Sequence, residues 1–562
     1  MFILFTICLV ALGSTLALLT VISMHDINKL FHRFQFGSPE GSRWVLLLGT
    51  FLLFYGILVG AYFVMRYDAR WIETDTASLT RAIEVMAQEG ELVTEEYRYL
   101  HGYNYQALST AVLALTGLTT QFLQSSVYPY IAGLIVVITA LAFYRLVSGD
   151  RLTAILATLF LFFQPDMLFV TMRGSHEKLD WPLMMVGGLL LYRSLRQPLK
   201  KVIIYVLLFY VVIFAMITTN TFFASSLVVA FLISLILGMI VSRIIQKDKS
   251  LASEHLRLVY ICLSSAVLVY VFIVYLYPPA LTNLHTLKTV WDQISVLLLS
   301  FEPKTQPYDY ISFGWISPQV YIGLTLFTWM LIGTSFIEWS RRAIRYLRRQ
   351  DRLDLLTGLD WLLYAGFALQ IGISIIVDFS GALAGNLQLR ILPGFTVIAA
   401  GVLARGVHRI LRERRFGGWK ESMLYALTLF MSAWFALASV FKATNEPALS
   451  NKWSFQTPAE EASIRWFDTQ VNSANIWTGM DERLRETYRF LVDPFTKSDN
   501  VYGSDNYSLD LEYDYALISL LEQQRSERIE IKMPNLTGWN QIYDSGEVQI
   551  QQFTNRNAIE ER

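Results

Sequence analysis

The sequence predicts an all-α polytopic membrane domain of about twelve transmembrane helices, followed by a small C-terminal α/β domain outside the cytoplasm. Composition is the first reason: 54% of the 562 residues are hydrophobic and only 16% are charged, with a mean hydropathy of +0.40, whereas soluble chains carry roughly a quarter charged residues. That excludes a disordered chain and an ordinary soluble enzyme. The second reason is that charge-free blocks recur at the length that crosses a membrane, and the third is that Lys and Arg crowd into every second connection between them. Overall charge balances at 46 Lys+Arg against 46 Asp+Glu, so nothing points to a nucleic-acid partner. Cys8 and Cys262 are far apart in apolar blocks, which excludes a disulfide scaffold and a thiolate metal site.

A hydrocarbon core of about 30 Å needs roughly 20 apolar residues per helix. Blocks that satisfy this fall at 2–23, 44–65, 127–144, 152–172, 181–195, 202–218, 221–242, 258–277, 320–337, 361–377, 391–410 and 423–441. The stretch 202–242 is too long for one crossing, and the polar run Thr218-Thr219-Asn220-Thr221 is the natural place to turn it into a helical hairpin. Span 2–23 lacks the basic start and small-residue cleavage site of a signal peptide, so it is read as a helix. Basic clusters such as Arg193 to Lys201, Arg341 to Arg352 and Arg405 to Lys420 put the alternate connections in the cytoplasm. A further apolar stretch, Ala107–Leu123, would reverse every later loop if it crossed, and is therefore expected to lie along the outer surface.

The remaining chain then falls outside: segments 66–126 and 278–319, two short loops at 173–180 and 378–390, and a tail over 443–562. Domain boundaries are expected at 1–442 for the membrane part and 443–562 for the tail. Within the tail, Pro458-Ala459-Glu460-Glu461 opens a helix, Ala474–Thr478 and Tyr515–Ser519 read as strands, and Asn540–Phe553 reads as a hairpin turning at Asp544-Ser545-Gly546.

Chemistry has few places to sit. Just past the second span comes Glu73-Thr74-Asp75, two carboxylates at the membrane surface. An ionised acid there can deprotonate or orient an acceptor, or hold a divalent cation against a phosphate; the plainer role for Asp75 is a helix N-cap ahead of Leu79, Ile83 and Met86. Further on, Tyr97, Tyr99, Tyr103 and Tyr105 surround His101-Gly102. An interfacial aromatic belt explains the tyrosines but not His101-Gly102. The second outer loop, Arg173-Gly174-Ser175-His176-Glu177-Lys178-Leu179-Asp180, packs five ionisable side chains into a turn; Arg173 and Lys178 can snorkel at the boundary, while His176, Glu177 and Asp180 can complete an acid/base or metal site. Asp166 is the one carboxylate well inside a span and a candidate on that ground. Arg390 stands at the outer mouth of span 391–410, where a guanidinium can clamp a lipid-linked phosphate in bidentate fashion.

Taken in order and on one side of the membrane, these motifs resemble the GT-C superfamily of integral-membrane glycosyltransferases. The resemblance covers roughly residues 44–441 and rests on Glu73-Thr74-Asp75, the surface helices after it, His176 to Asp180, and the run Arg390 to Pro393. It implies a polyprenyl-phosphate-linked sugar donor and inverting transfer to a glycan, lipid or protein acceptor on the outer face of the plasma membrane. It also implies Asp75 or Glu73 as base, with Glu177, Asp180 and His176 in support. Arg390 would bind the donor phosphate, with Arg173, His101, Tyr103 and Lys288 as further substrate ligands; Lys288 lies in the outer segment 278–319, which would cover the donor. Some members use Mg or Mn and others none, so the metal is left open. The spaced Glu-Thr-Asp and the extra N-terminal span depart from the family pattern. Two other classes stay in play: a lipid or polysaccharide transporter or flippase, which calls for paired polar groups at mid-membrane, and a non-catalytic assembly protein working through its tail.

Overall fold

The computed structural model describes residues 52, 54–62, 64–65, 70, 74–91, 101–172, 174–196, 199–245, 252–281, 288, 318–348, 350, 353, 355–379, 387–413, 430, 439, 456–471, 476–477, 484, 513–523, 536 and 539–553. The expected spans 2–23 and, save two positions, 423–441 lie outside them. The chain is mostly helical, and six helices among the described residues are long and apolar enough to cross a membrane: Thr120–Ser148, Val202–Thr219, Thr221–Ser242, Leu258–Leu276, Gly358–Asp378 and Arg390–Ile410. Each contains or matches one expected span to within a few residues. It is a multi-pass membrane protein.

In chain order, α1 is Thr74–Glu89, α2 Asn104–Thr116 and α3 Thr120–Ser148, the last with a π-helical turn over Leu123–Val127. The surface helix expected at 107–123 stops at Thr116, where Gly117 closes it in the left-handed conformation and Thr119 caps the next helix by accepting from the Phe122 N–H. At 13 residues α2 is about 20 Å long, too short to cross. The expected single span 152–172 is two helices, α4 (Arg151–Phe162) and α5 (Pro165–Met172). Pro165 lacks an N–H and is suited to a helix start rather than its middle, a break that unbroken hydropathy hides.

Next come α6 (Glu177–Arg196), α7 (Leu199–Thr219), α8 (Thr221–Met239), α9 (Ala252–Val271), α10 (Pro318–Leu347), α11 (Leu355–Phe379) and α12 (Leu387–Glu413). On α7 one face, Phe209, Ile213, Met216 and Ile217, is buried, while Ile204, Leu207, Leu208 and Val211 are exposed. Helical spacing thus leaves an apolar stripe for lipid. Contacts between spans use small and amide residues, as lipid-embedded packing favours. A Cβ on Gly133 would lie 2.4 Å from the Gly56 carbonyl oxygen, and Gln370 exchanges hydrogen bonds with the Ser226 hydroxyl (2.9 Å) and carbonyl (3.0 Å).

The ends of α12 lie in different chemistry. Near its C-terminus Arg405 and, from α10, Arg342 donate to Asp360 at 2.7 and 2.9 Å, while Arg341 and Arg409 donate to Glu338. Beside them the indoles of Trp339 and Trp361 stack at 5.4 Å. Arg390, near the other terminus, is 15 residues or about 22 Å away along the helix.

Beyond the spans, α13 (Pro458–Gln470) opens with a capping box, Thr457 accepting from the Glu460 N–H and Glu460 from the Thr457 N–H. Strands β1 (Ile476–Trp477), β2 (Tyr515–Ser519), β3 (Trp539–Asp544) and β4 (Val548–Phe553) form one sheet in the order β1-β2-β4-β3. Strand β1 is parallel to β2 and the other pairs are antiparallel. The hairpin turns through Gly546 at φ +81°. Helix α13 covers one face through Ile464 and Phe467, packed with Leu517, Val548 and Ile550.

Candidate active site

The polar turn between α7 and α8 is the floor of the candidate site. Asn220 has extended backbone angles and its Oδ1 accepts from the Phe223 N–H at 3.1 Å, which caps α8. Its Nδ2 donates to Asp180 Oδ2 at 2.7 Å. The strand of chain around His101 lies across the same turn: the His101 carbonyl accepts from both the Thr221 N–H and hydroxyl at 2.9 Å, and the Tyr103 N–H donates to the Thr218 carbonyl at 2.8 Å. Asn104 adds a bond to the Thr219 hydroxyl at 2.8 Å. Such close approach explains Gly102, which has φ +150° and where a Cβ would fall 2.0 Å from the Thr218 oxygen.

The second outer loop joins from the side. His176 is buried and its ring stacks on that of His101 at 5.8 Å and 23°. Lys178 does not snorkel as expected: it is buried, with its ammonium 4.9 Å from the Tyr128 ring, a cation–π contact. Glu177 is half-buried beside the Ser175 hydroxyl at 3.5 Å. Asp180 is buried, stands one residue before the apolar run 181–195, and its Oδ1 has no hydrogen-bond partner among the described residues. Burial raises this carboxyl well above the usual range, with the Asn220 bond working against the rise.

The start of α1 meets the second loop. A Cβ on Gly174 would lie 2.6 Å from Thr76 Cγ2 and from Gln124 Oε1, so the second loop touches the first turn of α1, one residue from Asp75. Leu79 and Ile83 of α1 pack with Tyr105 and Leu179, and Tyr105 donates to Gln124 at 2.9 Å. Asp75 is the second residue of α1, inside the helix and not at the N-cap position expected of it. Its side chain, Glu73 and Arg173 lie outside the described residues. Arg390 is exposed, with its guanidinium 5.6 Å from the ring of Phe222, next to Thr221. Tyr103 packs edge-on to Tyr277 at 5.6 Å and near Phe272. Lys288 is exposed, and no described contact brings it to this cluster.

The structure therefore gathers His101, Tyr103, His176, Asp180 and Arg390 around the Asn220 turn, with the first turn of α1 against Gly174 of the second loop. Sequence reasoning saw 218–221 only as a turn and missed Asn220 as a site residue; the signal was an amide inside a 41-residue charge-free block. No three His, Cys, Asp or Glu residues converge among the described residues. The described donors do not by themselves make a divalent-cation site, which needs six or more oxygen ligands, partly water.

Arg70 links this region to α13. Its Nε donates to Glu461 Oε2 at 2.9 Å and its carbonyl accepts from the Gln456 N–H at 3.2 Å. Partial burial pushes the Glu461 carboxyl up, and the bonds and charges of Arg465 and Arg70 outweigh it, so its pKa is lowered. A lowered carboxyl stabilises the fold above its ordinary value and loses that contribution as pH falls through the folded value. Below about pH 4.5 the thermal midpoint of wild type is expected to fall towards that of Glu461→Gln; parallel midpoint curves for the two proteins would refute this linkage.

Among solved structures, the chain is similar in fold to the archaeal oligosaccharyltransferase AglB from Archaeoglobus fulgidus in complex with an inhibitory peptide and a dolichol-phosphate. The TM-score is 0.52 at 11% identity over 92% of this chain and 75% of that one. The same oligosaccharyltransferase in its apo form gives 0.51, and ArnT from Cupriavidus metallidurans in the apo state gives 0.47 at 12% identity over 92% and 98%. At such identity the likeness is one of fold. No protein-family model matches the chain, and no curated protein sequence matches it significantly.

Proposed function

We propose that the protein is a membrane glycosyltransferase that moves a sugar from a polyprenyl-phosphate-linked donor to a glycan, lipid or protein acceptor on the outer face of the plasma membrane. The observation that carries this reading is the convergence of Asp180 and Arg390 on the Asn220 turn, with the first turn of α1 packed against the loop that leads to Asp180. The archaeal structure with a dolichol-phosphate supports a lipid-phosphate donor through shared fold. In this reading residues 1–442 form the membrane domain and 443–562 an extracytoplasmic α/β domain.

The chemistry follows from what each group can do. Asp75 or Glu73 takes the proton of an acceptor hydroxyl as its oxygen attacks the anomeric carbon. The bond from that carbon to the phosphate oxygen breaks, the configuration inverts, and the polyprenyl phosphate leaves with the electron pair. Arg390 faces the charge that grows on the leaving phosphate, where a planar guanidinium can donate two parallel hydrogen bonds. Asp180, fixed by Asn220, and the His101–His176 pair orient sugar or acceptor hydroxyls. Tyr103 offers the sugar an aromatic edge, and Arg173, Glu177 and Lys288 are the remaining candidates. A Mg or Mn ion, if used, would draw oxygen ligands from Asp75 and Glu73 beside Asp180, and would supply charge neutralisation at the phosphate.

The test is turnover of a panel of short-chain polyprenyl-phosphate sugars by the purified protein with cell-extract acceptors. Transfer from one donor is expected; no turnover across the panel would shift the reading to transport or assembly. Arg390→Gln is expected to raise the KM for that donor by roughly 10- to 100-fold, since a hydrogen bond to a charged group contributes roughly 1.5–3 kcal/mol. An unchanged KM would remove Arg390 from the phosphate site.

A further inference from the structure

We infer that Arg70 and Glu461 form a positioning latch through which α13 sets the place of the Glu73-Thr74-Asp75 motif. The inference deepens the transferase reading and rests on it. Only residues 71–73 separate Arg70 from the start of α1, and a residue spans at most about 3.6 Å. Whatever holds Arg70 therefore restricts where the acidic motif can be.

Arg70 is held at both its backbone and its side chain, and both partners belong to the start of α13. The Gln456 N–H meets its carbonyl at 3.2 Å, and the Glu461 carboxylate meets its Nε at 2.9 Å with the two side chains only 24% and 18% exposed. The partners are 391 residues apart in sequence. Glu461 is itself fixed, in the first turn of a helix closed by a capping box and packed through Ile464 and Phe467 onto the sheet. The motif's far side is anchored too, by Thr76 against Gly174 and by Leu79 in its own cluster. The chain that carries the motif is thus bounded by two held residues, Thr76 against the second loop and Arg70 against the tail. Misplacement of a reacting group by about 1 Å can cost on the order of 100-fold in rate, so a slack latch should act on kcat.

The test compares wild type, Arg70→Gln, Glu461→Gln and the reversed pair Arg70→Glu with Glu461→Arg, reading kcat and KM for the donor together with hydrogen exchange over residues 74–80. Each single variant is expected to lose about tenfold in kcat with donor KM unchanged and to exchange faster over 74–80. The reversed pair is expected to recover most of both. Arg465→Gln, which removes the other partner of Glu461 on the exposed face of α13, is expected to behave as wild type. Turnover by wild type with unaltered kcat in both single variants would overturn the latch. If wild type transfers no sugar, the transferase reading has failed and exchange alone decides: faster exchange in the singles that the reversal restores supports the latch, and unchanged exchange refutes it.

Discussion

Gly102→Ala is expected to lower the stability of the protein by roughly 3 kcal/mol and to abolish most of its activity. Two costs add. A left-handed or mirror-region backbone angle disfavours an L side chain by about 1–2 kcal/mol, and here φ is +150°. The new methyl would also sit 2.0 Å from the Thr218 carbonyl oxygen, and overpacking of this kind costs about 1–3 kcal/mol. The chain can relieve the clash only by lifting residues 101–103 off the turn, which breaks the bonds from the Thr221 and Tyr103 amides. A thermal midpoint lowered by several degrees, together with loss of transfer, is the expected outcome. A midpoint equal to that of wild type would show that this crossing point contributes little.

Asp75→Asn should do the opposite: leave stability intact and reduce kcat by about 10²–10⁴-fold, the usual contribution of a positioned general base. The amide is nearly isosteric with the acid but cannot accept a proton from a hydroxyl. Helix α1 is held by Leu79 and Ile83, packed with Tyr105. The measurement is single-turnover transfer by a variant with the wild-type thermal midpoint, run beside Glu73→Gln. Whichever of the two acids abolishes transfer is the base; normal transfer by both variants would remove the motif from the chemistry.

Much of the architecture was legible because burial in lipid demands long apolar runs, and such runs are visible without knowing any contact. The hairpin at 218–221, strand β2 and the β3–β4 turn lie where local chemistry puts them. Where boundaries moved, local signals existed but were outvoted by hydropathy: Pro165 inside a continuous apolar block, and Gly117 with Thr119 inside another. The site was only half legible. Charged residues in the outer loops announce themselves, so His176, Asp180 and Arg390 could be singled out by type and place. Asn220 could not, because its role exists only once the chain near His101 and the start of α6 lie against the same turn. Lys178 was misjudged for a related reason: its position suggests the membrane boundary, and only the packed Tyr128 ring makes burial tolerable.

The two-ended use of Asn220 has a consequence for how this protein can vary. One end of the amide finishes a helix and the other holds a carboxylate, so a single side chain answers to the helix start and to the placement of Asp180 at once. Aspartate at that position would still cap α8 but would bring a second acid to Asp180 with nothing to donate. Serine or threonine would cap as well, yet has no second arm for the partner. The usual freedom to exchange good capping residues is therefore suspended there: the membrane hairpin and the acid beside it must be tuned together or not at all.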